Sequence, residues 1–442
     1  MDNTLAYIDQ ASFQGVRALR RALLIEFTWI YDRPVDIDRL RRFHRNLEHG
    51  LLGRLVERSP LPFGRHRWVS APGPADLEIA AHDRARSEVW TWADERIRLP
   101  IDPETGPAWR LGVQPLTDGG GAVNLVASHT VADGIGLSLS IADAVNGIRR
   151  DLNYPPSGSR TRRQALIEDG KQTARSLPGV AKAVIAAARV ARTESDGLAE
   201  SMKPSVGQVT QGKERPVVMP TVSAYFDVHH WDERSRSLGG NSNSLFAGLA
   251  ARLGQILGRV DDNGHVKLSW PVNERTDGDT RANALIGGYV IADPTKVTDS
   301  LIDVRADIKR TLTSVSESRN DLLAPLPLVP FIPKVLARVV DKMINKVGTP
   351  IGCSNFGELD PSVNRPDGTD ADYIAVRLLE PQITNHHLDR MGGYLFLVSG
   401  RVHGQIFVTV AAWTVGGMNT KESLRDSVHQ ALAEFQLTGT VE

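Results

Sequence analysis

One cysteine, Cys353, stands among 442 residues. It has no partner for an internal disulfide, and no cysteine-based zinc site of ordinary kind can be built from it. Such sparing use of cysteine suits a reducing cytoplasm. An excess of either charge is also missing. Lys and Arg number 52 and so do Asp and Glu, so the chain as a whole has no pull toward nucleic acid. No apolar run approaches the ~20 residues that span a bilayer. The opening MDNTLAYIDQASFQG begins acidic and lacks an apolar core, so no secretory signal is expected. No short-period repeat is evident. The expectation is a cytoplasmic protein, with membrane association left open.

Apolar content of 41% and charged content of 24% fit a folded globular chain rather than a disordered one. The length exceeds what a single core usually organises, so two domains are expected. ALLIEFTWIY reads as a strand. After it, Asp36 or Asp38 would cap a helix carrying Leu40, Phe43 and Leu47 at helical spacing. RHRWVSAP and LEIAAHD read as short strands, and AWRLGVQPL and AVNLVASH as two strands joined at TDGGG. IGLSLSIADAVNGIRRDL reads as a helix. NYPPSGS opens a connector in which helices break at Pro178 and a polar loop, ESDGLAESMKPSVGQVTQGKERP, follows. Beyond it come strands TVSAYFDVHHW, HVKLSWPVN and NALIGGYVIADP, a helix in NSLFAGLAARLGQILGRV, a hairpin in GGYLFLVSGRVHGQIFVTVAAW, and a closing helix from about Thr420 to Phe435. Strands and helices alternate in both halves, so the class is α/β or mixed α+β. The expected division is 1–155, a crossover at 156–215, and 216–442.

The chemistry centres on NLVASHTVADGIGLSLSIADAV, Asn124 to Val145. His129 closes an apolar strand, Asp133 follows four residues on, and Gly134 comes next. A strand end holds a histidine rigidly while the following loop lets its ring meet a cavity. Imidazole suits proton removal from a hydroxyl or amine. Asp133 would pair with a basic residue and lock the turn. Gly134 would admit unusual backbone angles and a close substrate, and its N–H at a helix start would face an oxyanion. Two other readings stand beside this one. A lone histidine at a strand end is usually a packed structural residue. A His–Asp metal pair would need a helix where the pattern reads strand, and no third ligand is near.

SHTVADG resembles the HHxxxDG motif of an acyltransferase superfamily. Its members include chloramphenicol acetyltransferase, the condensation domains of nonribosomal peptide synthetases, polyketide-associated acyltransferases, and wax ester synthase/diacylglycerol acyltransferases. GPAWRL, with Pro107, Trp109 and Arg110, is similar to the PLWE segment of the wax ester branch. NSNSLFAGLAARLGQIL resembles that branch's NDvvLA helix, with Asn243 on the asparagine. WPVNER followed by NALIGGYVIAD resembles the condensation-domain segment that carries an arginine and then IGxFVNT. CSNFGEL, Cys353 to Leu359, resembles an SNxG loop. The set runs in the family's order over most of the chain.

The resemblance implies two chloramphenicol-acetyltransferase-like subdomains in a V, with donor and acceptor entering a tunnel from opposite faces. His129 would be the general base, and the acceptor would attack the thioester directly, without an acyl-enzyme. The donor would be an acyl-CoA or an acyl group on a carrier's phosphopantetheine, with no other cofactor and no metal, and the acceptor an alcohol or amine. Asp133 would be structural, with Arg275 its partner. Asn243 would sit near the tetrahedral intermediate or orient groups around His129. Ser128, Trp109, Ser354 and Asn355 would line the tunnel. Three positions depart from the pattern. Ser128 stands in place of the first motif histidine, Ser244 in place of the acid after Asn243, and Arg110 in place of the PLWE glutamate. The last two point away from wax ester and triacylglycerol synthesis, toward polyketide-associated or secondary-metabolite acyltransferases.

Cys353 reads as a buried hydrophobe, since direct transfer needs no thiol nucleophile. His386 and His387 in NHHLDR would point apart on a strand, and His229 and His230 likewise make a poor metal pair. Lys171, Arg175, Lys182, Arg189 and Arg192 lie among alanines and valines. Such a helix would lie on an anionic membrane, meet an acidic acyl carrier protein or coenzyme A phosphates, or simply cross over with its cations solvated. Three functions follow: a free-standing acyltransferase, a condensation-type enzyme, or a non-catalytic binding member of the fold. The 442 residues hold no carrier or adenylation segment, so a carrier is expected in trans. Ser128 favours the non-catalytic reading; His129, Asp133 and Gly134 together oppose it.

Overall fold

The computed structural model describes residues 2–19, 21–193, 213–333 and 350–442, without the side chains of 189–193. Along the chain the strands are β1 (Leu24–Tyr31), β2 (Arg54–Glu57), β3 (Arg67–Ser70), β4 (Glu78–Ile79), β5 (Trp109–Pro115), β6 (Gly121–Ser128) and β7 (Thr221–Asp227). They continue as β8 (Val266–Asn273), β9 (Leu285–Ala292), β10 (Ile351–Glu358), β11 (Tyr373–Leu379), β12 (Tyr394–Val402), β13 (Gln405–Trp413) and β14 (Thr440–Val441). The α-helices are α1 (Tyr7–Leu19), α2 (Ile37–Asn46), α3 (Val89–Arg96), α4 (Gly134–Val145) and α5 (Arg162–Thr193). They continue as α6 (Val228–Ser237), α7 (Ser242–Ile256), α8 (Ile302–Leu323), α9 (Asn385–Arg390) and α10 (Lys421–Glu434).

Two sheets carry the mixed α/β fold, each the centre of one half. The first runs β11-β1-β6-β5-β4 and the second β14-β7-β13-β12-β10-β8-β9. β1 and β6 are buried along their whole length, which their nearly unbroken apolar sequence requires. The polar residues they do carry are partnered. Glu26 accepts from Asn124 Nδ2 at 2.7 Å and pairs with Arg377, which also reaches Asp94 at 2.7 Å. Arg377 lies on β11, which comes from the second half of the chain. It pairs antiparallel with β1, Phe27 opposite Val376, so the second half lends a strand to the first sheet. In the second half, α7 packs on β8, β10 and β12 and against α8 and α10.

Asp36, not Asp38, caps α2, accepting from the Arg39 N–H at 2.9 Å. Leu40, Phe43 and Leu47 are all buried beneath it. Four expectations need correction. α5 runs through Pro178 without breaking. A proline removes one hydrogen bond, at about 3 kcal/mol or more, and this long alanine-rich helix has many turns to absorb that loss. CSNFGEL is strand, not loop; its Asn and Gly belong to an irregularity between Asn355 and Glu358 where β10 slips against β12. NHHLDR is the short helix α9, capped by Thr384, where neighbouring side chains diverge as they do on a strand. His229 and His230 open α6, both donating backbone N–H groups to Asp227. Most of the polar connector, 194–212, lies outside the described residues. Among the described residues, no helix is long and apolar enough to cross a membrane.

Candidate active site

The backbone of the motif is clamped from both sides. His129 N–H donates to Leu23 C=O at 2.9 Å, one step beyond the β1–β6 ladder, and Ser128 N–H donates to Ala108 C=O at 2.9 Å. Ser128 is 3% exposed, and its hydroxyl accepts from the Thr130 N–H at 3.3 Å. Its role is therefore to shape the turn that carries the chain from β6 into α4.

Asp133 is the N-cap of α4. Its Oδ1 accepts from Gly136 N–H at 2.7 Å. Its Oδ2 accepts from Arg275 Nη2 at 3.0 Å and from Ala284 N–H at 2.8 Å. Both side chains are 4% exposed. Arg275 also donates to the carbonyls of Asp279, Arg281 and Ala282 at 2.9–3.1 Å. One guanidinium thus folds the β8–β9 connection and staples it to the first half.

A second buried carboxylate does similar work, and sequence reasoning passed over it. Asp9 on α1 accepts from Ala282 N–H at 3.0 Å, Asn283 N–H at 2.8 Å and Asn283 Nδ2 at 3.3 Å. Three successive N–H groups, 282 to 284, are therefore held by two carboxylates of the first half. Burial raises the Asp9 carboxyl above its usual range, against the pull of Arg54 and these donors. The available signal was an acid one turn from Phe13, on the face of α1 that is buried.

The His129 ring is half-buried. Burial holds its pKa below the usual histidine value. Asp133, a hydrogen bond to its own backbone, the Asn283 side chain and Asp9 pull the other way. The ring is therefore neutral at neutral pH, and its surroundings accept the imidazolium once it forms. Asn283 commits Nδ2 to Asp9, which leaves its carbonyl oxygen for the ring. Asn283→Ala removes a contact that raises the pKa. Its acid limb in a pH–rate profile is expected to move to lower pH, and the His129 midpoint in an NMR titration with it. An unmoved midpoint contradicts this role.

Gly134 starts α4 in ordinary helical geometry. The need for glycine is steric instead of torsional. A Cβ there would lie 2.4 Å from the Phe356 ring of β10. Gly134→Ala is expected to cost about 1–3 kcal/mol in denaturant unfolding, as overpacking does. Phe356→Ala in the same chain should remove that increment; persistence of the full penalty would show the clash is not its cause.

The remaining candidates fall into two groups. Asn243, exposed in the first turn of α7, accepts from Asn355 Nδ2 at 2.6 Å. Asn355 precedes Phe356, so β10 joins the start of α7 to the start of α4. Ser354, half-buried, is next on this strand. Ser244 is buried and closes a capping box with Asn241, which explains a hydroxyl at that position. Trp109, by contrast, is 3% exposed in the first core, donating its indole N–H to Leu52 C=O at 3.0 Å. Cys353 is buried, and burial pushes its thiol well up, so no thiolate is available at neutral pH. Arg110 pairs with Glu78 at 2.7 Å. Among the described residues, no three His, Cys, Asp or Glu side chains gather as a metal site. Beside the Asp133–Arg275 pair, Leu51, Ile135, Leu139, Thr276 and Thr280 line a cleft of about 530 Å³ between the halves.

No protein-family model matches the chain, and no curated protein matches it significantly. Solved structures do. The first condensation domain of the calcium-dependent antibiotic synthetase, in complex with a substrate analogue, matches with a TM-score of 0.60 at 14% identity, covering 98% of this chain and 97% of that one. TRI3, the trichothecene 15-O-acetyltransferase from Fusarium sporotrichioides, matches at 0.58 and 12%, covering 98% and 94%. TRI101 of F. sporotrichioides, complexed with coenzyme A and T-2, matches at 0.57 and 11%, covering 100% of both chains. Across the whole of its length, this chain has the fold of condensation domains and chloramphenicol-acetyltransferase-like acyltransferases.

Proposed function

We propose that the chain is an acyltransferase that moves an acyl group from a thioester to a hydroxyl or amine, with His129 as general base. The observation that carries this reading is the placing of that ring: half-buried at a strand end whose backbone is clamped to Leu23, ahead of the buried Asp133 cap of α4, with burial holding its pKa below the usual histidine value. The acceptor's proton passes to His129 as its oxygen or nitrogen attacks the thioester carbonyl. The tetrahedral intermediate then collapses, the C–S bond breaks, and the leaving thiolate takes the proton back from the imidazolium. The N–H of Gly134, at the positive end of α4, faces the oxyanion. Asn243 and Asn355 orient groups at the opposite wall, with Ser354 beside them, while Ser128 and Trp109 support the near wall from behind. Asp133 and Arg275 hold the two halves in register.

Likeness to TRI101, solved with coenzyme A, supports an acyl-CoA donor. Likeness to a condensation domain supports the second reading, in which the donor, the acceptor or both ride on carrier proteins. The experiment is thiol release from a panel of acyl-CoAs with pooled alcohol and amine acceptors. Turnover with coenzyme A thioesters supports the first reading. Silence there, with turnover of carrier-loaded acyl groups, selects the second. Silence with both removes acyl transfer and leaves a binding role.

A further inference from the structure

Helix α5 presents three distinct faces. Ala165, Asp169 and Ala183 form its buried face. Asp169 is held there by Arg160 at 2.7 Å and Ser59 at 2.6 Å. A second face is apolar and open to solvent: Leu166 is 39% exposed, Ile167 49%, Leu177 53%, Val184 53% and Ile185 57%. At 3.6 residues per turn, Leu166, Leu177 and Val184 fall within about 20° of one another, and Ile167 and Ile185 share a line about 100° further round, with Gly170, Ala174 and Ala181 between. Beyond that line, by about 40–80°, come Lys171, Arg175 and Lys182, all exposed. The acids of this stretch, Glu168 and Asp169, both pair with Arg160, so the open charge is basic. The short turn Leu326–Phe331 packs on α5 and stacks Phe331 on Phe63, whose ring is 52% exposed.

We propose that this face of α5 docks the protein on an anionic lipid bilayer. The stripe from Leu166 to Ile185 is about 29 Å long, 19 rises of a helix, and it is convex. A long convex ridge of branched aliphatics seats in a plane, where its apolar side enters the acyl boundary and the flanking cations meet lipid phosphates. A compact acidic carrier domain would cover one end of such a ridge and leave most of it in water. The inference stands on the α5 surface and is independent of the acyl-transfer reading.

The test is co-sedimentation of the full chain with vesicles of mixed phosphatidylglycerol and phosphatidylcholine, against vesicles of phosphatidylcholine alone. Binding to the anionic vesicles that weakens with salt is expected. Lys171→Ser, Arg175→Ser and Lys182→Ser together should weaken it on the order of a hundredfold. Leu177→Glu with Ile185→Glu should abolish it. All five sites are exposed, so unchanged circular dichroism and thermal midpoint serve as the folding control. Absence of wild-type binding at low salt overturns the proposal, as does binding that neither variant changes. A dimer that Leu177→Glu dissolves, without vesicle binding, also overturns it and assigns the face to a second copy.

Discussion

Replacing His129 with alanine is expected to lower turnover on the order of a hundred- to ten-thousandfold, the usual contribution of a positioned base. The fold should survive. What His129 gives the architecture is its backbone N–H to Leu23, which alanine retains. The wild-type rate should rise with pH as the ring loses its proton and level off. Because burial holds the pKa below the ordinary histidine value, the plateau should begin on the acid side of neutrality. The residual rate of the variant should lack that limb. Rates and profiles that match wild type in a folded His129→Ala protein would assign the ring a packing role.

The second large effect falls on stability. Asp133→Ala leaves the Arg275 guanidinium without its anion at 4% exposure, strips the N-cap from α4, and frees the Ala284 N–H. Breaking a buried pair from one side costs on the order of 3–5 kcal/mol. Denaturant unfolding should show that loss. Arg275→Ala should also be costly, because three carbonyls of the β8–β9 connection lose their donor as well. The two losses should fall short of adding, since either one breaks the same staple. A stable and fully active Asp133→Ala protein would deny the pair its structural role.

The strand–turn–helix around His129 was legible because the apolar period changes at Gly134, from a strand buried on both faces to helical spacing. Asp36 was legible as a cap for the same local reason. What local pattern does not carry is convergence. Tyr373–Leu379 carries no strand expectation in the sequence pattern and belongs by position to the second half, yet it hydrogen-bonds to β1 in the first sheet, where Arg377 meets Glu26, two buried charges far apart in sequence. Asp9 and Asn283 are common polar residues in unremarkable contexts. They matter because α1 and the β8–β9 connection meet behind His129. Gly134 reads as a place of backbone freedom and close approach, but its neighbour Phe356 lies 222 positions away, and only the folded chain shows that ring. Pro178 reads locally as a breaker, but the helix around it runs for 32 residues and absorbs one lost hydrogen bond.

The central claim is direct transfer to the acceptor with His129 taking the proton. Its most direct test mixes the protein with a single equivalent of labelled acyl thioester, with and without acceptor, and follows thiol release together with the intact mass of the protein. The account predicts thiol release only when acceptor is present, an unmodified protein mass throughout, and loss of release in His129→Ala. An acyl adduct on the protein, or acceptor-dependent release that His129→Ala leaves unchanged, would contradict it.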